Sequence, residues 1–414
     1  LISVIFAYFS VFNDDFDYHF NTIENFKEII LLNDLLSNPA GGNRVSYNSH
    51  WLMINSVVYL NLFPVTLFSI TSLIYSITLF DLYNAYKRNN LKKNYTTAVY
   101  SFFVLLFLIG VLNSYKEYGT DFPGQLIIII TVIIFLESYK RFKQFDNFEQ
   151  KSIFLLLFSS CILAFSIKIS NIFIFILLFF IFFKIHLKIK LIFYSLFSLI
   201  PLFLWFFQNY IISKCLVWPI SVLCISNKIL AEREKLVIEA TAKGVVEGFG
   251  ELEFMVQNFN WLPIWLKDHG IKILEVYGFY TFLLILPIFL SYLIKSQNNI
   301  IKLKLNILVD HLNSYIILVF LTFVSSFFWF LEAPVHRFGI IYNLNFILIF
   351  LIPFWQKFIL QNYSFYIRSC RVLLTLALLF FVSEMYLKHK KYIDRHGYIW
   401  PNVKEGNLYE RIVP

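Results

Sequence analysis

Long apolar runs broken by short polar stretches recur along almost the whole chain. They predict helices at roughly 1–12, 64–86, 97–113, 124–139, 152–167, 171–185, 191–212, 275–294, 312–330, 340–356 and 372–387. A helix rises about 1.5 Å per residue and a bilayer core is about 30 Å thick, so most of these runs suit spanning helices. Backbone groups in hydrocarbon must bond one another, which leaves helices or closed barrels. The alternating pattern of barrel strands is absent. The expected fold class is therefore all-α integral membrane, with about eleven transmembrane helices.

The apolar stretch ahead of Asn13 covers little more than half of such a core, so the sequence is expected to begin inside the first transmembrane helix. That stretch is not read as a signal peptide, because it shows neither a basic leading region nor a small-residue cleavage site. Residues 13–63 form a long first outward loop. Within it Phe20, Ile23, Phe26, Ile29 and Ile30 recur near helical spacing, which predicts a helix lying in the interface with Asn21 and Glu24 as a capping pair. Residues 214–274 form a large outward insertion, mostly helical from Ile229 onward, and 388–414 a polar outward tail. No internal repeat marks a transporter built from two similar halves. The chain from 1 to 414 reads as a single multi-pass membrane domain.

Composition agrees. Hydrophobic residues make up 58% of the 414 and charged residues 15%, and the mean hydropathy is +0.67. The net charge of +9 follows the loops and does not indicate nucleic-acid binding. One set of alternate short loops holds Lys87, Arg88, Lys92, Lys93, Lys140, Arg141, Lys143, Lys151, Lys184, Lys188, Lys190, Lys295, Lys302, Lys304, Lys357, Arg368 and Arg371. The opposite set holds only Lys27, Arg44, Lys116, Lys168 and Arg337. The positive-inside rule makes the first set cytoplasmic.

The unusual polar residues then fall on the outward side. Asp14, Asp15 and Asp17 follow the first helix, with His19 just beyond. Carboxylates this close repel, so one of them is a candidate for a shifted pKa, able to take a proton from a hydroxyl or to hold a divalent cation against a phosphate. A solvated acidic loop end is the plainer reading. Asn43, Arg44, Asn48, Asp121, Lys168, His336 and Arg337 are candidate substrate-binding groups at the same surface, since Arg forks phosphate and Lys meets it as a point charge. Snorkelling of a basic residue toward water competes, best for Lys116 and fairly for Lys168. It explains Arg337 less well, because Pro334 and Gly339 bracket a tight turn around it.

Cys215 and Cys224 flank a Trp218-Pro219 turn and are candidates for a disulfide if that side is oxidising, or for buried free thiols. Trp261, Trp265 and His269 have helical spacing and read as an interfacial aromatic anchor ahead of a sugar-stacking platform. No nucleotide-binding glycine motif, P-loop or metalloprotease signature appears, which argues against a nucleotide-sugar donor.

These residues resemble a GT-C-type membrane glycosyltransferase. More closely they resemble a group of bacterial membrane proteins associated with surface-polysaccharide genes. The shared pattern runs from Asp14 to a Tyr18-His19 pair, through Asn48-Ser49-His50-Trp51, Asp121-Phe122-Pro123 and Lys168-Ile169-Ser170, to Cys215–Pro219 and Ala333–Gly339. His50 stands where a small residue is usual and Trp218 where Tyr is usual. The resemblance implies a GT-C-like bundle in a bacterial cytoplasmic membrane, with its active site facing the periplasm or exterior. It implies a polyprenyl-phosphate-linked sugar donor, a glycan or lipid acceptor, and an acidic catalytic residue after helix one. No cofactor follows beyond the candidate divalent cation. Two other readings compete. One is an O-antigen-type polymerase or ligase acting on lipid-diphosphate oligosaccharides through outward arginines. The other is a non-enzymatic polysaccharide or lipid transporter, which predicts polar residues deep in the midplane, whereas the helix interiors here are almost free of acids.

Overall fold

A computed structural model describes residues 49–58, 70–110, 120–139, 141–184, 189–245, 252–257, 259–295, 312–332 and 334–396. Among these residues every regular element is helical. A short helix α1 (His50–Val58) precedes a bundle of α2 (Ile70–Leu91), α3 (Tyr95–Gly110), α4 (Asp121–Ser138) and α5 (Asn147–Ile167). A 3₁₀ turn (Ile169–Ile174) runs into α6 (Phe175–Phe182), and α7 spans Ile189–Ser213. The insertion holds α8 (Lys228–Ala242), α9 (Leu252–Val256) and a run of short helical turns from Leu262 to Gly278. The bundle then resumes with α10 (Phe279–Lys295), α11 (Leu312–Glu332), α12 (His336–Gln361) and α13 (Tyr363–His396).

Five of these, α4, α5, α11, α12 and most of α13, are long and apolar enough to cross a membrane, and shorter apolar helices accompany them. The chain is thus a helical protein of membrane type. The expected helix at 1–12, the interfacial helix near 20–30 and residues 397–414 of the tail lie outside the described residues.

Packing explains the order of the layers. Helix α4 is surrounded by α2, α5 and α12, while α3 lies against α2, α12 and α13. The resulting core is continuous, from Tyr75 and Tyr100 through Leu126, Ile128 and Phe135 to Trp355. Outer helices instead leave large apolar side chains exposed, Phe203 and Phe207 on α7 and Leu376 and Phe380 on α13. That inversion of the soluble pattern is what a hydrocarbon solvent permits. Some buried polar groups inside the bundle are paired across helices, while others, such as Thr131 and Ser325, bond back to a carbonyl one turn earlier in their own helix. The Tyr100 hydroxyl donates to Asn345 Oδ1 at 3.0 Å, and the Tyr75 hydroxyl to the Leu108 carbonyl at 2.9 Å. Both bonds satisfy groups that water does not reach.

Several boundaries differ from expectation. Helix α5 starts at Asn147 rather than 152, because Asp146 and Glu149 form a capping box: Glu149 N–H donates to Asp146 Oδ1 at 2.7 Å, and Asp146 N–H to Glu149 Oε2 at 3.3 Å. Helix α13 covers 363–396 rather than 372–387. Arg368 and Arg371 therefore ride on a helix instead of a loop, as do residues 388–396 of the tail. Hydropathy stops where lipid would stop, whereas good helix formers such as Lys388, Lys390 and Lys391 keep the backbone ladder past that point.

Candidate functional site

One end of the bundle gathers residues far apart in sequence. Asp121 opens α4, and Lys168 is the extended residue (φ −149°, ψ 123°) between α5 and the 3₁₀ turn. A carboxylate suits a helix N-terminus and an ammonium suits a C-terminus, so each complements its own helix dipole. Because α4 and α5 are antiparallel neighbours, the two also meet. Lys168 Nζ forms an ion pair with Asp121 Oδ1, and the ammonium lies 3.3 Å from the centroid of the Phe338 ring. Phe338 belongs to the first turn of α12. Three separate sequence motifs therefore share one contact. Lys168 does not snorkel away; its ammonium is held between a carboxylate and an aromatic face.

The corner at Lys168 is braced by polar side chains. The Ser49 hydroxyl donates to the Ile167 carbonyl at 2.8 Å, and the Asn171 amide to the Ala164 carbonyl at 2.9 Å. The Ile167 carbonyl is one that the end of a helix leaves without an intrahelical partner, and the Ala164 carbonyl also accepts from the Lys168 N–H at 3.1 Å. Asn171 Oδ1 in turn accepts from the Tyr342 hydroxyl at 2.9 Å, which ties the corner to α12. On α4, Gly124 passes so close that a Cβ there would sit 2.5 Å from Asn171 Nδ2. Trp51, one residue past His50, is buried in the main core. His50 stacks on Trp205 with ring centroids 6.3 Å apart, and burial lowers its pKa.

His336 and Arg337 begin α12 with Phe338 and Gly339, where a tight turn before the helix was expected. The reason lies in Pro334 and Gly339. Pro334 sits just ahead of the helix, where a missing N–H is harmless. Gly339 is helical, and a Cβ on it would fall 2.6 Å from the Trp329 indole. The glycine is needed for close packing rather than for a bend. The carbonyls of Pro334 and Val335 accept from Trp265 Nε1 at 2.7 Å and Trp329 Nε1 at 2.8 Å. Trp261 and Trp265 are therefore buried against Trp329 and Phe330 rather than set out as an interfacial anchor.

Cys215 and Cys224 are joined by a disulfide and enclose Trp218, whose bond to Pro219 is cis. Val217 of this loop packs with Phe165 and Trp205, and Ile169 packs against them, so the loop lies beside the Lys168 corner. Asp14, Asp15, Asp17, His19, Asn43, Arg44 and Asn48 lie outside the described residues. Among the described residues no group of three or more His, Cys, Asp or Glu side chains could hold a metal ion. Asn171 and Tyr342 escaped the sequence reading, while Ser49 stood there only within the Asn48–Trp51 motif and Trp265 only in the aromatic group. Asn171 and Tyr342 carried a usable signal, since a polar group inside an apolar run needs a partner.

The bundle and its long apolar helices define an α-helical protein of membrane type. Residues 1–344 match the family described as a domain of unknown function, DUF8201, and the chain belongs to that family. No curated protein and no solved structure matches it.

Proposed function

We propose that the chain is a GT-C-type membrane glycosyltransferase with about eleven spans, moving a sugar from a polyprenyl-phosphate carrier to a glycan or lipid acceptor. The site would face the periplasm or exterior of a bacterial cytoplasmic membrane, in surface-polysaccharide synthesis. The observation that carries this reading is the meeting of Asp121, Lys168 and Phe338 at the bundle end where α12 begins with His336 and Arg337. Orientation has two supports. The basic loops favour the opposite end as cytoplasmic. Independently, the Cys215–Cys224 disulfide beside Lys168 suits an oxidising compartment.

In this reading Asp14 or Asp15 takes the acceptor hydroxyl proton, with Asp17 and His19 close by in sequence. The acceptor oxygen bonds to the sugar's anomeric carbon from the face opposite the phosphate. The carbon–oxygen bond to phosphate breaks with inversion, and polyprenyl phosphate leaves as an anion. Arg44, Lys168, His336 and Arg337 would stabilise that charge as it develops, and Asn43, Asn48 and Asp121 would position the donor and the lysine. A divalent cation held by the aspartates is a variant of the same scheme.

The test is transfer by the purified, reconstituted protein from a labelled polyprenyl-phosphate sugar to a pool of cell-envelope acceptors. Wild type should move label and a folded Asp14→Asn/Asp15→Asn variant should not. Full activity in that variant would remove the proposed base. Loss on replacing Arg337 alone, with all three aspartates dispensable, would point to a polymerase or ligase instead.

A further inference from the structure

Between Lys214 and Lys228 the chain has no charged residue. This stretch forms the disulfide-closed loop and leads into α8. Its interior is filled by the Cys215–Cys224 bridge, Trp218 and Ala231, all buried. With that small core occupied and Val217 packed against the bundle, the other aliphatic side chains face outward. Val222 is 86% exposed, Ile225 73% and Ile229 84%. Three aliphatic side chains this exposed within eight residues suit an apolar partner better than water.

What covers it follows from the helix that leads into it. On α7, Phe203, Phe207 and Ile211 recur every four residues along one face and are exposed. On a membrane-type helix such a stripe is the lipid-facing surface, and it leads directly toward Lys214 and the loop. Lys214 and Lys228 are themselves exposed at the two ends of the uncharged stretch. An ammonium on an apolar stem, set at the edge of an apolar patch, suits the phosphate level of a bilayer.

We propose that the Cys215–Cys224 loop and the first turn of α8 form a finger that dips into the leaflet on that side of the membrane. Val222, Ile225 and Ile229 lie at the boundary of headgroups and acyl chains, with Lys214 and Lys228 against phospholipid phosphates. The disulfide fixes which side chains point outward, so the finger enters lipid already folded. Its partner is bilayer lipid, whatever chemistry takes place at Lys168.

The test places a photoreactive benzoylphenylalanine at Val222 or Ile225 of the full chain. The protein is reconstituted in phosphatidylethanolamine–phosphatidylglycerol vesicles carrying a radiolabelled phospholipid. Phe203 on α7 serves as the lipid-facing reference and exposed Thr241, near the end of α8, as the reference away from the finger. Lipid adducts at positions 222 and 225 should match those at 203 and exceed those at 241. Adducts at 203 without any at 222 or 225 would overturn the proposal. So would a crosslinked dimer of the chain in place of a lipid adduct, or labelling at 241 equal to that at 222. Thiol blocking before and after reduction checks in each variant that the bridge has formed.

Discussion

The two ends of the bundle solve the same electrostatic problem differently. At one end Arg88 grips Glu137 with a fork: its Nε lies 3.1 Å from Oε1, and its Nη2 lies 2.7 Å from each carboxylate oxygen. The Asn89 amide adds a further bond to Oε1 at 2.6 Å, while Asn94 Nδ2 donates to Asn89 Oδ1. At the other end Lys168 meets Asp121 as a point charge under an aromatic ring. A guanidinium fork has a fixed geometry and suits a permanent staple. An ammonium can rotate and exchange one anion for another. The staple lies where the basic loops cluster, and the exchangeable pair lies beside the disulfide loop. Difference in chemistry, rather than in the amount of charge, separates the structural end from the candidate site.

The sharpest break in this comparison is functional. Lys168→Ala should lower transfer about 10²–10³-fold, the scale for losing one charge-stabilising donor, whereas Arg88→Ala should leave turnover near wild type in the same assay. Equal losses would mean that both pairs are staples. Next in size is Gly339→Ala, whose new methyl meets the rigid Trp329 indole. It should destabilise by about 1–3 kcal/mol, seen as a lower thermal midpoint in detergent. No shift would show that the α11–α12 corner is looser than its packing implies.

A comparable or smaller loss is expected from Asn171→Ala, which leaves the buried Tyr342 hydroxyl without this acceptor. The penalty should be about 1–3 kcal/mol, and Tyr342→Phe in the same background should recover part of it. An additive double variant would argue against the coupling. His50 gives a pH signature at the candidate-site end. Burial holds its folded pKa below 6.5, so below that value the unfolded chain takes up the proton first. Stability should therefore fall as pH drops through and below 6.5, and His50→Gln should flatten that limb of a melting-versus-pH series. The smallest change is Arg88→Lys, which keeps the charge and loses the fork. With Arg88 half exposed, it should cost no more than about 1 kcal/mol in the same melts.

Much of this fold was legible because hydropathy reports what faces lipid. The helices from 97–113 to 340–356 lie close to where the apolar runs place them. What escaped was carried by other physics. The capping box at Asp146 and Glu149 is local hydrogen bonding, invisible to an apolar count. The length of α13 depends on backbone propensity beyond the lipid. Asp121, Lys168 and the His336–Gly339 run were legible as candidates, because polar residues at helix ends stand out against apolar neighbours. Their meeting through Phe338 was not, since nothing in one sequence says which helix ends are neighbours. Gly339 was misread as a turn residue for a related reason: close approach of another chain segment and a special backbone angle both select glycine.

Lys168 is also the entire connection between α5 and the turn that follows it. A hairpin with a one-residue corner has no slack. Each added or removed residue would rotate everything after it by about 100° about the helix axis. Ile174, Leu177 and Ile181, now in the core, would then exchange places with surface-exposed Phe179 and Phe182. The corner therefore acts as a reading frame for the second half of the bundle. A single-residue insertion scan from 160 to 180, scored by folded yield, should show a gap centred on it.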